Sequence, residues 1–230
     1  ASESQFASVF ELSPDATVIA RLSDGVFLEA NEAFTTLLGY GRSEVAGRGL
    51  RELDLGVTSE ELNRIAEEVG VAAVSVLTPF FIQPSQEGLY RHFMEIADAT
   101  SLPVILYSNP GRTNVKLAPS MVARLAQHPN IVGVKDSGGD LTATIEMIKL
   151  TGDEFAVLMG RDSLIYAGLH HGTKGAIAAS ASVVPALVAS IYDTFMQGDL
   201  QGSLAAQEQL LPLRLAFELG AFPAVVKEAW

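Results

Sequence analysis

Short apolar runs alternate with stretches of helical periodicity from residue 72 to residue 180. Each run is rich in Val, Ile, Leu or Ala and is bounded by Gly, Pro, Asn or Asp. This pattern is typical of parallel strands that are buried on both faces and joined by crossover helices, so the predicted fold class is α/β. Five strands are predicted, at 72–80, 103–108, 131–135, 155–159 and 175–180.

Helix signals lie between these runs. Ser85 is suited to open one helix, Pro119 occupies a first turn where proline is tolerated, and Asp140 is suited to cap a third. The pattern therefore predicts about five βα units, whereas a complete (β/α)8 barrel has eight. A helical C-terminal extension is predicted at 185–197, 200–219 and 223–230.

The first part of the chain follows a different pattern. Strand-like runs at 16–22 and 26–30 flank Ser23-Asp24-Gly25, a turn sequence typical of antiparallel β-hairpins. The composition changes near Gly56, so we predict one domain at 1–56 and a second at 57–230. Helices are predicted at 31–38, 42–46 and 58–69.

Composition and charge narrow the classes of function. The 230 residues carry a formal net charge of −12, which repels phosphate backbones and argues against a nucleic-acid partner. The most apolar long stretch, 175–191, is interrupted by Pro185 and is shorter than the ~20 residues that span a bilayer, so no membrane partner is expected. There is no cysteine and no signal-peptide pattern, and the expected location is the cytoplasm.

The sequence offers no motif for a metal or a cofactor. His170 and His171 are adjacent and have no third ligand at metal-binding spacing, so we interpret them as the end of a helix. Nucleotide-binding glycine loops and a Gly-x-Ser-x-Gly nucleophile turn are missing from the sequence. We therefore expect no metal and no cofactor.

Two side chains that can carry chemistry lie at predicted strand ends. Tyr107 closes the second parallel strand and Lys135 closes the third, after an apolar run. An amine among apolar residues loses hydration of its charged form, which favours the neutral amine that attacks carbonyls, and a nearby phenol can transfer the proton. The alternative interpretations are a Lys135–Asp136 ion pair and a Tyr107 that only packs in the core.

Four segments, in this order and spacing, resemble the dihydrodipicolinate synthase and N-acetylneuraminate lyase family of class I pyruvate aldolases. The resemblance covers residues 70–230 and implies the C-terminal part of a TIM barrel. It also implies that Lys135 forms an imine with pyruvate or another 2-oxo acid, with Tyr107 relaying protons. The segments are Leu77-Thr78-Pro79-Phe80-Phe81 with 84–90, Tyr107-Ser108-Asn109-Pro110-Gly111-Arg112-Thr113, Asn130-Ile131-Val132-Gly133-Val134-Lys135-Asp136-Ser137, and Gly160-Arg161-Asp162.

The same resemblance assigns three substrate-binding residues. Arg112 would contact a substrate carboxylate with its bidentate guanidinium, although a loop arginine is otherwise a solvated residue. The backbone of Ile177 would hold the pyruvyl group, and its alternative role is that of an ordinary buried strand residue. Gly160 would let the substrate approach the backbone closely, or would serve as a turn glycine.

Residues 10–55 resemble a second family, the PAS sensor domains. The resemblance covers a first hairpin and the following helices but not the later strands of a PAS sheet, so we expect these residues to act as scaffold that covers or completes the barrel fragment. It is carried by Phe10-Glu11-Leu12-Ser13-Pro14-Asp15-Ala16, Asp24-Gly25, Glu29-Ala30-Asn31-Glu32-Ala33-Phe34 and Leu38-Gly39-Tyr40.

The chain also departs from the aldolase family in two places. The family's Gly-Thr-Thr-Gly type loop does not precede residue 70, and Phe81 stands where members that relay protons between subunits carry a tyrosine. The resemblance therefore predicts a pyruvate-dependent lyase or synthase with impaired turnover. The alternatives are a recombined chimera that acts only as a folded scaffold and a PAS-type ligand sensor, and unpaired sheet edges would permit a homo-oligomer.

Overall fold

The computed structural model describes residues 10–12, 17–21, 26–48, 70–80, 82–221 and 223–229. The chain forms two compact units, Ala1–Val69 and Gly70–Trp230, which are described separately. The predicted junction near Gly56, the predicted helix 58–69, the hairpin turn Ser23-Asp24-Gly25 and Phe81 all lie outside the described residues.

The N-terminal unit contains the predicted antiparallel strand pair. Strands β1 (Val18–Ala20) and β2 (Phe27–Ala30) pair with Val18 opposite Ala30. Helix α1 (Glu32–Leu38) begins at Asn31, whose side-chain oxygen accepts hydrogen bonds from the amides of Phe34 and Thr17, both at 2.9 Å. It ends at Gly39 (φ 75°), and α2 (Arg42–Val45) follows. The core of this unit consists of Phe27, Ala30, Phe34 and Val45.

The larger unit is built on a five-stranded parallel sheet whose spatial order is the order of the strands in the sequence. Every strand pairs with its neighbour in sequence, as in successive right-handed βα units. The strands are β3 (Val74–Leu77), β4 (Val104–Ser108), β5 (Ile131–Asp136), β6 (Ala156–Met159) and β7 (Gly175–Ala176).

All five predicted strands are present, but the first and last are shorter than predicted. The predicted strand 175–180 extends only over Gly175–Ala176, because Ala179–Ser182 forms a 3-10 helix instead. The cause is a distant residue, since the Asp162 carboxylate accepts hydrogen bonds from the amides of Ala179 (3.3 Å) and Ser180 (2.9 Å) and removes them from the sheet.

Helices connect the strands and extend the C-terminus, as predicted. Ser85 and Asp140 cap the helices Gln86–Ala99 and Leu141–Thr151 with their side chains, and Pro119 lies in the first turn of the helix Pro119–Leu125. Among the described helices, none is long and apolar enough to cross a membrane. The helices are α3 (Gln86–Ala99), α4 (Pro110–Thr113), α5 (Pro119–Leu125), α6 (Leu141–Thr151), α7 (Ile165–His171), α8 (Pro185–Met196), α9 (Leu200–Ala216) and α10 (Ala224–Glu228).

The core lies between the sheet and the helices on one of its faces. Leu106 and Val134 are fully buried there, and Phe93 of α3 packs in the same cluster. Successive residues of a strand point to opposite faces, so Tyr107 and Lys135, which follow Leu106 and Val134, belong to the opposite face. Both are only partly buried, and that face is the interior side of a barrel.

Candidate active site

Lys135 and Tyr107 form the centre of the candidate site. They are direct partners in the register of β4 and β5, and the Lys135 Nζ lies 3.9 Å from the centre of the Tyr107 ring. A cation above an aromatic face is attracted by the ring quadrupole, so the contact favours a position of the amine against the Tyr107 ring.

The Tyr107 hydroxyl is held in a polar network. It accepts a hydrogen bond from Asn109 Nδ2 at 3.1 Å. Burial raises the pKa of Tyr107, but hydrogen bonds with Asn109, Lys135 and Ser137 and the Lys135 charge outweigh burial, so the pKa lies below its ordinary value. A phenol with a lowered pKa gives up its proton more readily, as a proton relay requires.

Asp136 does not pair with Lys135. Its carboxylate accepts hydrogen bonds from Thr144 Oγ1 at 2.7 Å and from the Gly138 amide at 2.9 Å, on the helix-covered side of the sheet. These bonds fix the start of the loop that carries Ser137. The Lys135 amine therefore faces the opposite side without competition from its neighbour in sequence.

Arg112 lies exposed on α4, directly after β4. Thr113 of this helix contacts the end of β3, since its hydroxyl lies 3.0 Å from the buried hydroxyl of Thr78, the residue after that strand. Thr78 in turn donates its amide to the Tyr107 carbonyl at 3.0 Å. The position of the Arg112 backbone is thus tied to the strand that carries Tyr107.

Gly160 leaves no room for a side chain. Its amide donates to the Asp136 carbonyl at 2.7 Å, and a Cβ atom there would overlap the Ser137 hydroxyl and approach the Asp136 carbonyl at 3.0 Å. Directly after β7, the Ile177 amide donates to the Met159 carbonyl at 2.9 Å, and Ile177 is 41% exposed. The alternative interpretation of Ile177 as an ordinary buried residue is therefore wrong.

All five residues predicted for the site line one cavity of about 720 Å³. The cavity is formed by the ends of β4, β5, β6 and β7 together with the C-terminal part of α9 and the segment after it. The sequence reasoning missed other residues of the lining that carry polar side chains: Asn109, Ser137, Arg161, Asp162, Arg214 and Glu218.

Asp162 and Gln207 fix the wall of this cavity beyond β7. Gln207 donates to the Asp162 carbonyl at 3.0 Å and accepts from the Tyr166 amide at 3.0 Å. Asp162 is buried, with 3% of its surface exposed, and its carboxylate accepts hydrogen bonds from the backbone amides of Ala179 and Ser180. The position of Ile177 thus depends on a network that no local sequence pattern indicates.

The two adjacent histidines are placed as predicted, at the end of α7. His170 Nε2 lies 2.9 Å from the Tyr166 hydroxyl, and the two rings pack edge to face. Within the described ranges, no group of three or more His, Asp or Glu side chains could hold a metal ion.

A five-stranded parallel βα sheet with a lysine and a tyrosine near the ends of adjacent strands is the arrangement of part of an α/β barrel with its site at the strand ends. The chain belongs to the dihydrodipicolinate synthetase family, whose model matches residues 56–230. A model of the PAS domain matches residues 4–72, so the two matched ranges overlap from 56 to 72.

Comparison with individual relatives supports this assignment. The chain is 40% identical over 185 residues to a 4-hydroxy-tetrahydrodipicolinate synthase of Thermodesulfovibrio yellowstonii, covering 80% of this chain and 62% of the relative. It is 41% identical over 169 residues to the enzyme of that name from Geobacter sulfurreducens, covering 74% and 58%. The chain therefore spans less than two thirds of the length of these curated relatives.

Solved structures show the same fold. A dihydrodipicolinate synthase from Thermotoga maritima superposes with a TM-score of 0.67 at 31% identity, covering 72% of this chain and 58% of that one. The synthase from Methylacidiphilum fumariolicum gives 0.70 at 33% identity, covering 75% and 59%. The predicted α/β fold, a partial TIM barrel of this family, is confirmed, and so is the predicted PAS-like segment.

Proposed function

We propose that the larger unit forms a Schiff base between Lys135 and a 2-oxo acid such as pyruvate, as the first step of a carbon–carbon lyase or synthase reaction. The observation that carries the proposal is the placement of the Lys135 amine 3.9 Å from the centre of the Tyr107 ring, inside a cavity of a family member. A synthase from Acinetobacter baumannii, 32% identical, was solved in complex with pyruvate.

The reaction begins when the neutral amine of Lys135 attacks the C2 carbonyl of the oxo acid and gives a carbinolamine. Tyr107 donates a proton to the departing hydroxyl, water leaves, and the protonated imine remains. The Tyr107 phenolate then takes a proton from C3 and gives the enamine, which adds to an aldehyde in the synthetic direction. Hydrolysis of the product imine then returns the free amine.

Substrate carboxylates would be bound by Arg112 at the end of β4, through two parallel hydrogen bonds. The backbone at Gly160 and Ile177 would contact the pyruvyl group, since both residues line the cavity that contains Lys135. Asn109 and Ser137 would keep the Tyr107 hydroxyl oriented between successive proton transfers.

We expect weak turnover. The family's threonine-pair loop does not precede residue 70, so one partner of the pyruvate carboxylate is missing from the sequence, and Phe81 has no hydroxyl to pass protons onward. Imine formation needs only Lys135 and Tyr107, whereas a complete cycle also needs the missing groups. The proposed activity is therefore imine chemistry with impaired turnover.

The second candidate is a chimera that acts only as a folded scaffold, with its junction near Gly56. The PAS match at 4–72, which adjoins and overlaps the family match at 56–230, favours it. A PAS-type sensor is a weaker candidate, because the residues that resemble a PAS domain cover only its first hairpin and the following helices.

Edge strands give a reason to propose a homo-oligomer. Among the described residues, β3 and β7 each pair with one strand, and an unpaired edge can accept a strand from a second copy. We expect a dimer or larger species by light scattering, and a monomer would contradict this part of the proposal.

The Schiff base is tested by borohydride reduction in the presence of pyruvate, followed by intact-mass and peptide analysis. We expect one reduced pyruvyl adduct, mapped to Lys135 and lost in Lys135→Ala. Lys149→Ala, which removes an exposed lysine of α6, is the matched control and should keep the adduct. A folded wild-type protein that gives no adduct would leave the scaffold as the preferred function.

A further inference from the structure

One carboxylate oxygen is shared by two arginines at the wall of the cavity. Glu218 Oε1 lies 3.4 Å from Arg161 Nη2 and 3.5 Å from Arg214 Nη2. All three side chains line the cavity that contains Lys135. Arg161 directly follows Gly160 at the end of β6, whereas Arg214 comes from the last turn of α9.

This arrangement leaves an excess of positive charge. Each guanidinium carries five N–H donors, and both distances are near the outer limit of a hydrogen bond, so a single oxygen satisfies neither group well. The Arg214 side chain is only 16% exposed, where a charge needs a partner more than it does in water. Glu218 is 55% exposed and can turn toward solvent.

The rest of the cavity does not neutralise this charge. Its lining includes the cations Lys135, Arg161 and Arg214, and the only carboxylates among the described residues of the lining belong to Asp162 and Glu218. Asp162 is already bound to backbone amides. The cavity is therefore positive within a chain of net charge −12, and it attracts anions.

The strand order places Lys135 between two cationic positions. Arg112 follows β4, Lys135 is the penultimate residue of β5, and Arg161 follows β6, with Leu158 of β6 paired directly to Lys135. Neighbouring strands are ~4.8 Å apart, so β4 and β6 lie about 10 Å apart on either side of β5. A short carbon chain with a carboxylate at each end could place one carboxylate toward each of these strands.

We propose that Arg161 and Arg214 form a second carboxylate subsite, with Glu218 occupying it until a ligand carboxylate takes its place. The substrate class is then a 2-oxo acid with a second, terminal carboxylate, whose carbonyl is attacked by Lys135. This inference rests on the proposed function for its carbonyl chemistry and on the arginine pair for its specificity.

Reductive trapping compares two oxo acids of equal chain length, 2-oxoglutarate and 2-oxopentanoate, which differ in the terminal carboxylate. We expect half-maximal trapping at an about ten-fold lower concentration of 2-oxoglutarate, because its terminal carboxylate gains charge-assisted hydrogen bonds that 2-oxopentanoate cannot form. The ratio should fall to about one in Arg214→Gln and in Arg161→Gln. Arg124→Gln, which removes a surface arginine paired with Glu87, should keep the ratio.

Glu218→Gln removes the resident carboxylate and should lower the 2-oxoglutarate concentration needed by a few fold. Arg161 is 41% exposed, so Arg161→Gln keeps the test usable if Arg214→Gln does not fold. Equal trapping of the two oxo acids by the wild type would overturn the subsite and leave the three residues as a link between α9 and the loop after β6.

A calorimetric titration with glutarate, which has no carbonyl, separates the subsite from imine formation. Wild type and Lys135→Ala should both bind glutarate, and Arg214→Gln and Arg161→Gln should lose it. Glutarate binding without any pyruvate adduct would overturn the Schiff-base function alone. A pyruvate adduct without glutarate binding would overturn the subsite alone.

Discussion

The Lys135 amine lies above the face of the Tyr107 ring, 3.9 Å from its centre, and the two residues are opposite each other in the register of β4 and β5. Tyr107 thus contributes two separable things to the site. Its ring holds the amine in place, and its hydroxyl can carry a proton. The two contributions can be measured apart, because phenylalanine keeps the ring and removes the hydroxyl.

Tyr107→Phe should slow imine formation by about 10²-fold, the lower end of the usual effect of a general acid or base, while the equilibrium yield of adduct stays close to that of the wild type. The time course of borohydride trapping at fixed pyruvate gives the rate. Tyr90→Phe is the matched control, since the Tyr90 ring also has a cation over it, Arg124 at 4.2 Å, but lies outside the cavity. An unchanged rate in Tyr107→Phe would remove Tyr107 from the proton relay.

The lowered pKa of Tyr107 predicts a specific dependence on pH. Below the folded-state pKa, Tyr107 is protonated in both the folded and the unfolded protein, so its titration does not change the free energy of unfolding. As pH rises from the folded-state pKa to the unfolded value of 10.0, ionisation of Tyr107 increasingly raises the free energy of unfolding. This added stability is lost when the pH falls back through the folded-state pKa.

Phenolate absorbance, taken as wild type minus Tyr107→Phe, isolates this titration from the other tyrosines. Lys135→Met removes a hydrogen bond and a positive charge, so it should move the Tyr107 midpoint to higher pH. Lys149→Met, on the exposed side of α6, should leave the midpoint unchanged. A midpoint that does not respond to Lys135→Met would show that the two groups are not coupled.

Gly160→Ala should damage the site, because the new methyl group would overlap the Ser137 hydroxyl. We expect the yield of trapped adduct at limiting pyruvate to fall at least about ten-fold, since displacement of site atoms by ~1 Å can cost ~10²-fold. Gly111→Ala is the matched control, because its nearest contact would be Asn109 at 4.0 Å. The double variant Gly160→Ala, Ser137→Gly should recover part of the loss, and no recovery would indicate that the contact with the Asp136 carbonyl dominates.

Asp162→Asn should lower the free energy of unfolding by about 1–3 kcal/mol, because a side-chain NH2 group would then face backbone amides that need an acceptor. Urea denaturation measures the change. Asp153→Asn, at an exposed position, serves as the control and should stay within about 0.5 kcal/mol of the wild type. A neutral Asp162→Asn would mean that the 3-10 turn at Ala179–Ser182 does not depend on this carboxylate.

Much of the fold could be read from local patterns. The strands β4, β5 and β6 match their predictions within one residue at each end, and Ser85, Asp140 and Asn31 open helices, since these signals depend on neighbours in sequence. The end of β7 could not be predicted, because Asp162 withdraws the amides of Ala179 and Ser180 through contacts across 17 and 18 residues.

The candidate site divides in the same way. Tyr107 and Lys135 could be proposed because each lies at a predicted strand end and Lys135 follows an apolar run. Asn109 and Ser137 lie two residues after them, in the loops that follow the two strands. Arg214 and Glu218 come from the far end of the chain, and a charged residue on a helix gives no local sign of which cavity it lines. The roles of the five predicted residues remain predictions until the adducts are mapped.

The strictly sequential order of the parallel strands has a consequence for inheritance. Tyr107, Arg112, Lys135, Gly160 and Ile177 all fall within one uninterrupted stretch of chain, 107–177, because each strand is laid beside the one before it. A single exchange of genetic material upstream of residue 107 would transfer this reactive group whole, whatever sequence is attached in front. The same exchange would leave behind any partner contributed by earlier strands, so such a barrel segment would pass on its nucleophile more readily than its full catalytic cycle.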